Sequence, residues 1–186
     1  MEEMIEKVIE VYKAKVSDDF KELKEIKRTL RFGTGPFADY VEDDQDTGTF
    51  EVKGKRYFWL TEKGFYESIW YIAEEAAIRE PEAFVEFGYE VEGDPLAWSE
   101  AYCSEEEERR IRELAEQGKF KEIVEMDCYK QPAWKEFMNM MVNEIEPESW
   151  YDVKGVKVYG FVDDICLFEL LEDIDAVEMY LRGIRG

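Results

Sequence analysis

The chain has 186 residues, 45% of them hydrophobic, with 46 acids against 24 bases and a formal charge of −22; a substantial core is affordable, and a field of that sign repels phosphate and anionic lipid over about a Debye length, which argues against direct nucleic-acid or membrane-surface binding and favours a basic protein as complement. Histidine is absent, which removes Ser–His and Cys–His nucleophile systems, histidine-based zinc sites and imidazole general bases. No apolar run approaches the roughly 18 residues of a membrane-spanning helix.

Apolar residues at Met4, Ile5, Val8, Ile9, Tyr12, Val16, Phe20, Leu23, Ile26 and Leu30 recur at helical spacing, and Ser17-Asp18-Asp19 can split residues 2–31 into two helices. Gly33, Gly35 and Pro36 end this segment, and an acidic loop follows. Thr49–Thr61, rich in β-formers and broken at Lys53-Gly54, predicts a hairpin. Phe65–Ile78 carries one apolar face and predicts a helix that Pro81 stops. Phe84–Gly93 alternates: Val85, Phe87, Tyr89 and Val91 fall on one side and Glu86, Glu90 and Glu92 on the other, the pattern of a half-buried strand. A short helix is expected in Asp94–Cys103. A helix opens at Ser104, with Ser104 and Glu107 as a capping box and Glu105–Arg109, Glu106–Arg110 and Glu108–Arg112 in the favourable i,i+4 order, and closes at Gly118. Helices are expected over Phe120–Cys128 and Ala133–Ile145, a second hairpin over Trp150–Val162, and a last helix from Asp163 to Leu181. The segments beginning at Phe50 and Tyr151 align without gaps, each with a Lys-Gly pair and an aromatic-rich stretch.

These elements predict an α+β fold, an antiparallel sheet of about five strands (two hairpins plus one strand) packed with helices. The chain is expected to be a single domain over residues 1–186, built from two pseudo-repeats, 1–80 and 104–186, each helices-hairpin-helix and joined by 81–103. Cys103, Cys128 and Cys166 are far apart, odd in number and without a CxxC pattern, so they read as reduced thiols of a cytoplasmic protein.

The loudest motif is the acidic stretch Asp39, Glu42, Asp43, Asp44 and Asp46. It fails as a calcium loop, because a register starting at Glu42 puts Thr47 where glycine is needed and Lys53 where a bidentate glutamate is needed. Gly48–Arg56 fails as a phosphate loop in spacing and in lacking Ser or Thr after Lys55. No catalytic or metal-ligating set can be nominated, and no cofactor is expected. The charge itself is uneven: residues 65–108 hold fourteen acids and one base, whereas residues 54–64 are locally positive. Glu86, Glu90, Glu92 and Asp94 form one row of acids, with Trp98 beside them as an aromatic anchor, and Glu169, Glu172, Asp173 and Asp175 form another on the expected last helix. Like-charge neighbours one turn apart cost about 0.2–0.5 kcal/mol each, which suggests that something gains from the field.

The leading expectation is a non-enzymatic inhibitor that meets a basic nucleic-acid-handling protein, such as a nuclease, with carboxylates in place of phosphates, in the manner of anti-restriction, anti-CRISPR or nuclease-immunity proteins. Its candidate contacts are the loop acids, the two rows and Trp98. The alternatives are a carboxylate- and divalent-metal-dependent hydrolase, and a scaffold that dimerises through the charge-neutral N-terminal helices.

Overall fold

The computed structural model describes residues 28–97, 99, 102–129 and 153–185, with Glu3, Glu6, Lys7 and Glu10. The chain divides into two compact units, one of residues 1–72 with 145–184 and 186, the other of residues 73–144 with 185. The fold is α+β, as expected, with a five-stranded antiparallel sheet.

The first unit holds that sheet: β1 (Arg31–Phe32), β2 (Thr47–Val52), β3 (Lys55–Thr61), β4 (Val156–Val162) and β5 (Ile165–Leu170), in the order β1-β2-β3-β5-β4. The hairpin β2–β3 turns at Lys53-Gly54, whose φ angles of 49° and 78° are both positive, the requirement of the two-residue turn that matches strand twist. Cross-strand pairing puts Thr49, Phe58, Phe168 and Val158 in one row on one face. There Phe58 and Phe168 stack with centroids 4.7 Å apart, and Phe37 packs on both at 5.3 and 6.0 Å. On the other face Phe50 stacks on Tyr57 at 5.2 Å, and the buried Glu169 accepts a 2.7 Å hydrogen bond from the Tyr159 hydroxyl. Because β5 is buried on both faces, Ile165-Cys166-Leu167-Phe168 is a continuous apolar run without alternation. The pairing of β4 with β5 shifts register between Val158 and Gly160, a bulge. Helix α1 (Glu62–Arg79) follows β3 directly, starting in this unit and ending in the second. Helix α5 (Ala176–Arg185) follows β5 after a short turn.

Two expectations about this unit are corrected. The second hairpin turns at Asp163-Asp164 rather than Lys154-Gly155, with Asp163 in the left-handed region at φ 54°. The segment Asp163–Leu181 is therefore turn, strand, turn and helix, because its apolar run fits a strand covered on both sides as well as it fits a helix. The gap-free alignment of the two Lys-Gly segments consequently sets the start of α1 against β5.

The second unit is helical: α2 (Pro81–Glu92), α3 (Glu105–Glu116) and the short α4 (Phe120–Val124). Its core joins Val85, Ile111, Leu114, Ala115 and Ile123, with Tyr89 and Phe120 packed against them. Here the expected strand Phe84–Gly93 is corrected to a helix. Pro81 occupies the first helical turn and Gly93 closes the end at φ 71°, its N–H donating to the Tyr89 carbonyl at 2.9 Å; those are the positions where proline and glycine favour a helix. The buried set Phe84, Val85 and Gly88 has helical spacing, and Val91, which the alternation would bury, is exposed. The capping box forms as expected, with the Ser104 hydroxyl accepting from Glu107 N and the Glu107 carboxylate accepting from Ser104 N.

The thiols are also corrected. Cys103 and Cys128 are joined by a disulfide, with Cα atoms 4.9 Å apart, while Cys166 lies outside the disulfide and is buried in β5. The 25-residue separation concealed the pair, and the cytoplasmic reading loses the premise of three reduced thiols. Among the described residues no helix is long and apolar enough to cross a membrane. The expected N-terminal helix pair falls almost wholly outside the described residues, as do the helix Ala133–Ile145, Trp98 and Trp150.

Candidate partner surface and a charged groove

The acidic loop is a built structure. Its Asp43 carboxylate accepts from Gln45 N at 2.9 Å, and the residues around Asp46 form a single 3-10 turn. Asp46 turns inward: its carboxylate accepts from the Thr61 hydroxyl at 2.6 Å and from the Lys63 ammonium at 3.3 Å. The same Thr61 oxygen accepts from Gly64 N at 3.1 Å, so Asp46 braces the residue that caps α1. Gly64 is required at this contact, since a Cβ there would lie 2.6 Å from the Asp46 carbonyl oxygen. Asp46, and then Glu67, hold the Lys63 ammonium above its usual pKa. Glu42 donates its N–H to the Glu67 carboxylate at 3.2 Å and accepts from the Tyr71 hydroxyl at 3.4 Å. Asp39 and Asp44 face solvent.

The expected C-terminal row does not exist as a row. Glu169 is buried in β5 beneath Tyr159. Glu172 pairs with Arg182, which also pairs with Glu178 at 2.6 Å and donates to the Lys154 carbonyl at 2.8 Å; Glu172 first, then Glu178, raises the Arg182 pKa. Asp173 lies 3.5 Å from the Arg56 guanidinium. Asp175 caps α5, accepting from Glu178 N at 2.7 Å. Asp94 accepts from Leu96 N at 3.0 Å and lies 3.9 Å from Arg112, which also reaches Glu108 at 3.5 Å.

Glu86, Glu90 and Glu92 differ. All are exposed on α2, and among the described residues no cation lies within 4 Å of any of them. They do not form the single file a strand would give. Glu86 and Glu90 are one turn apart on a common face, and Glu92 points elsewhere. In the same unit Tyr102 is 86% exposed and Val91 46% exposed.

The first unit also contains an open groove of about 820 Å³ that the sequence did not announce. It lies on the sheet face of Thr49 and Phe58, with Phe58, Leu170 and Ile174 among its apolar lining. Arg28, Arg31 and Arg56 line it, as do Glu51, Asp173, Asp175 and Glu178. The local excess of base in residues 54–64 was the only sequence signal near it. Among the described residues no group of three carboxylate or thiol side chains is placed to hold a metal ion.

Fold and surface together define an acidic α+β protein with a charged groove in its sheet unit. Compared with family models, with curated proteins and with solved structures, the chain matches none.

Proposed function

We propose that the protein is a non-enzymatic acidic binding protein that captures a basic surface of a nucleic-acid-handling partner, offering carboxylates where the partner expects phosphates. The observation that carries this reading is the contrast around α2: its exposed glutamates Glu86, Glu90 and Glu92 lack cations among the described residues, while most other candidate acids are engaged inside the molecule. An uncompensated charge on a rigid helix steers association with an oppositely charged surface and makes it salt-sensitive. Exposed Tyr102 and Val91 in the same unit can supply the apolar contacts that hold a complex once formed. The contact set proposed from sequence thereby narrows to α2, with Asp39 and Asp44 adding to the field; Glu169, Glu172, Asp175, Asp94 and Asp46 serve the fold, and Asp173 is an exposed neighbour of Arg56.

The test is capture of a basic nuclease by the full chain at low and high salt, with duplex DNA as competitor. Expected are retention at low salt, loss at high salt, displacement by DNA, and failure of the triple variant E86K/E90K/E92K to capture. Capture unaffected by that triple variant would remove α2 from the contact. Absence of capture at low salt would remove the reading.

A further inference from the structure

The groove of the first unit points to a different class of ligand. Three of its four acids have a partner: Asp173 lies 3.5 Å from Arg56, Glu178 lies 2.6 Å from Arg182, and Asp175 caps the first turn of α5; the fourth, Glu51, has no ion pair within 4 Å among the described residues. Glu51 stands directly opposite Arg56 in the β2–β3 register, on the same sheet face. Arg28 and Arg31 are exposed on the groove, and among the described residues neither has a carboxylate within 4 Å. The groups left without a partner are thus two guanidinium groups facing one carboxylate, in a molecule whose overall charge is −22. A guanidinium is a planar fork of donors matched to carboxylate and phosphate oxygens. The lining beside it, Phe58, Leu170 and Ile174, is apolar and accepts a hydrocarbon body.

We infer that the groove binds a small organic oxyanion, its charged head on Arg28 and Arg31 and its apolar body along Leu170 and Ile174. The pairs Asp173–Arg56 and Glu178–Arg182 reduce the repulsion of that head by two of the neighbouring carboxylates, while Glu51 and Asp175 still oppose it. The surrounding negative field opposes entry of any anion, so the ligand has to contribute apolar burial as well as charge, and a bare inorganic anion binds poorly. This site is independent of α2.

The experiment titrates the full chain with octanoate, octyl phosphate and inorganic phosphate at matched ionic strength, read by calorimetry and by shifts of backbone amide resonances. Expected is saturable binding of octanoate or octyl phosphate with shifts at Arg31, Thr49 and Leu170, the tighter of the two identifying the head group as carboxylate or phosphate. Inorganic phosphate should bind at least about tenfold more weakly than the tighter alkyl ligand, the ratio expected when roughly two buried methylene groups are lost. The R28Q/R31Q variant, altered only at exposed side chains, should lose at least about tenfold in affinity, the size expected for a charge-assisted hydrogen bond, while E86K/E90K binds as the parent does. Absence of saturable binding by both alkyl ligands, equal affinity in R28Q/R31Q, or inorganic phosphate binding as tightly as octyl phosphate would each overturn the inference.

Discussion

The two units handle negative charge differently. In the sheet unit most candidate acids are engaged by the fold. Asp46 braces the start of α1, Asp175 caps α5, Glu172 and Glu178 share Arg182, and Glu169 sits under a tyrosine hydroxyl. In the helical unit Glu105–Glu108 of α3 serve its capping box and dipole, yet Glu86, Glu90 and Glu92 of α2 stand in solvent without a cation among the described residues. A high count of acids is thus no measure of an interaction surface. Most of the sheet unit's candidate acids have a neighbour to hold them, and α2 is one place where charge has been left over.

The comparison can be broken or sharpened by measurement. The largest effect is expected in the sheet core: Phe168→Ala removes the ring stacked on Phe58 and packed by Phe37 and should cost about 3–5 kcal/mol in chemical denaturation. Next, replacing both Cys103 and Cys128 by serine opens a 25-residue loop in the helical unit and should cost about 3 kcal/mol, with amide exchange accelerating in α3 and α4 before it does in the sheet. A pH test follows from Tyr129, whose phenol is pushed up to about 12 by burial, with the Ser99 hydrogen bond pulling against it. The fold favours the neutral phenol, whereas the unfolded chain ionises near 10. That stabilisation is complete below about pH 10 and should be lost between about pH 10 and 12, about 3 kcal/mol in all; the Y129F variant should show a correspondingly flatter alkaline limb. Asp46→Ala, which frees Thr61 and Lys63, should cost about 1–2 kcal/mol. Smallest of all, E86K/E90K should change stability by no more than about 0.5 kcal/mol; a larger loss would mean that these glutamates, too, serve the fold.

What could be read from the sequence was local. The hairpin at Lys53-Gly54 and the capping box at Ser104 were legible because each signal and its partner lie within a few residues. The helix α2 was misread because the alternation of Val85, Phe87, Tyr89 and Val91 was weighed above Pro81 and Gly93, which punctuate a helix. Strand β5 was misread because burial on both faces erases the alternation by which a strand is known. The engaged acids were illegible for a different reason. Arg56–Asp173 and Cys103–Cys128 join positions that only the tertiary fold brings together, so no spacing rule could have separated a surface carboxylate from a structural one. The groove arginines were hidden likewise, being drawn from segments that meet only when β1, β2 and β3 assemble.

The bond between Cys103 and Cys128 encloses both α3 and α4, and between those helices lies an exposed link at Gly118, with φ 69°. A protease that cuts this link after Lys119 leaves one covalent molecule with two new ends. Its halves stay at the high effective concentration of a tethered pair and come apart on a gel only after a reductant is added. The tie thus adds a covalent link to the β3–β5 pairing, which also joins the two pieces across such a cut.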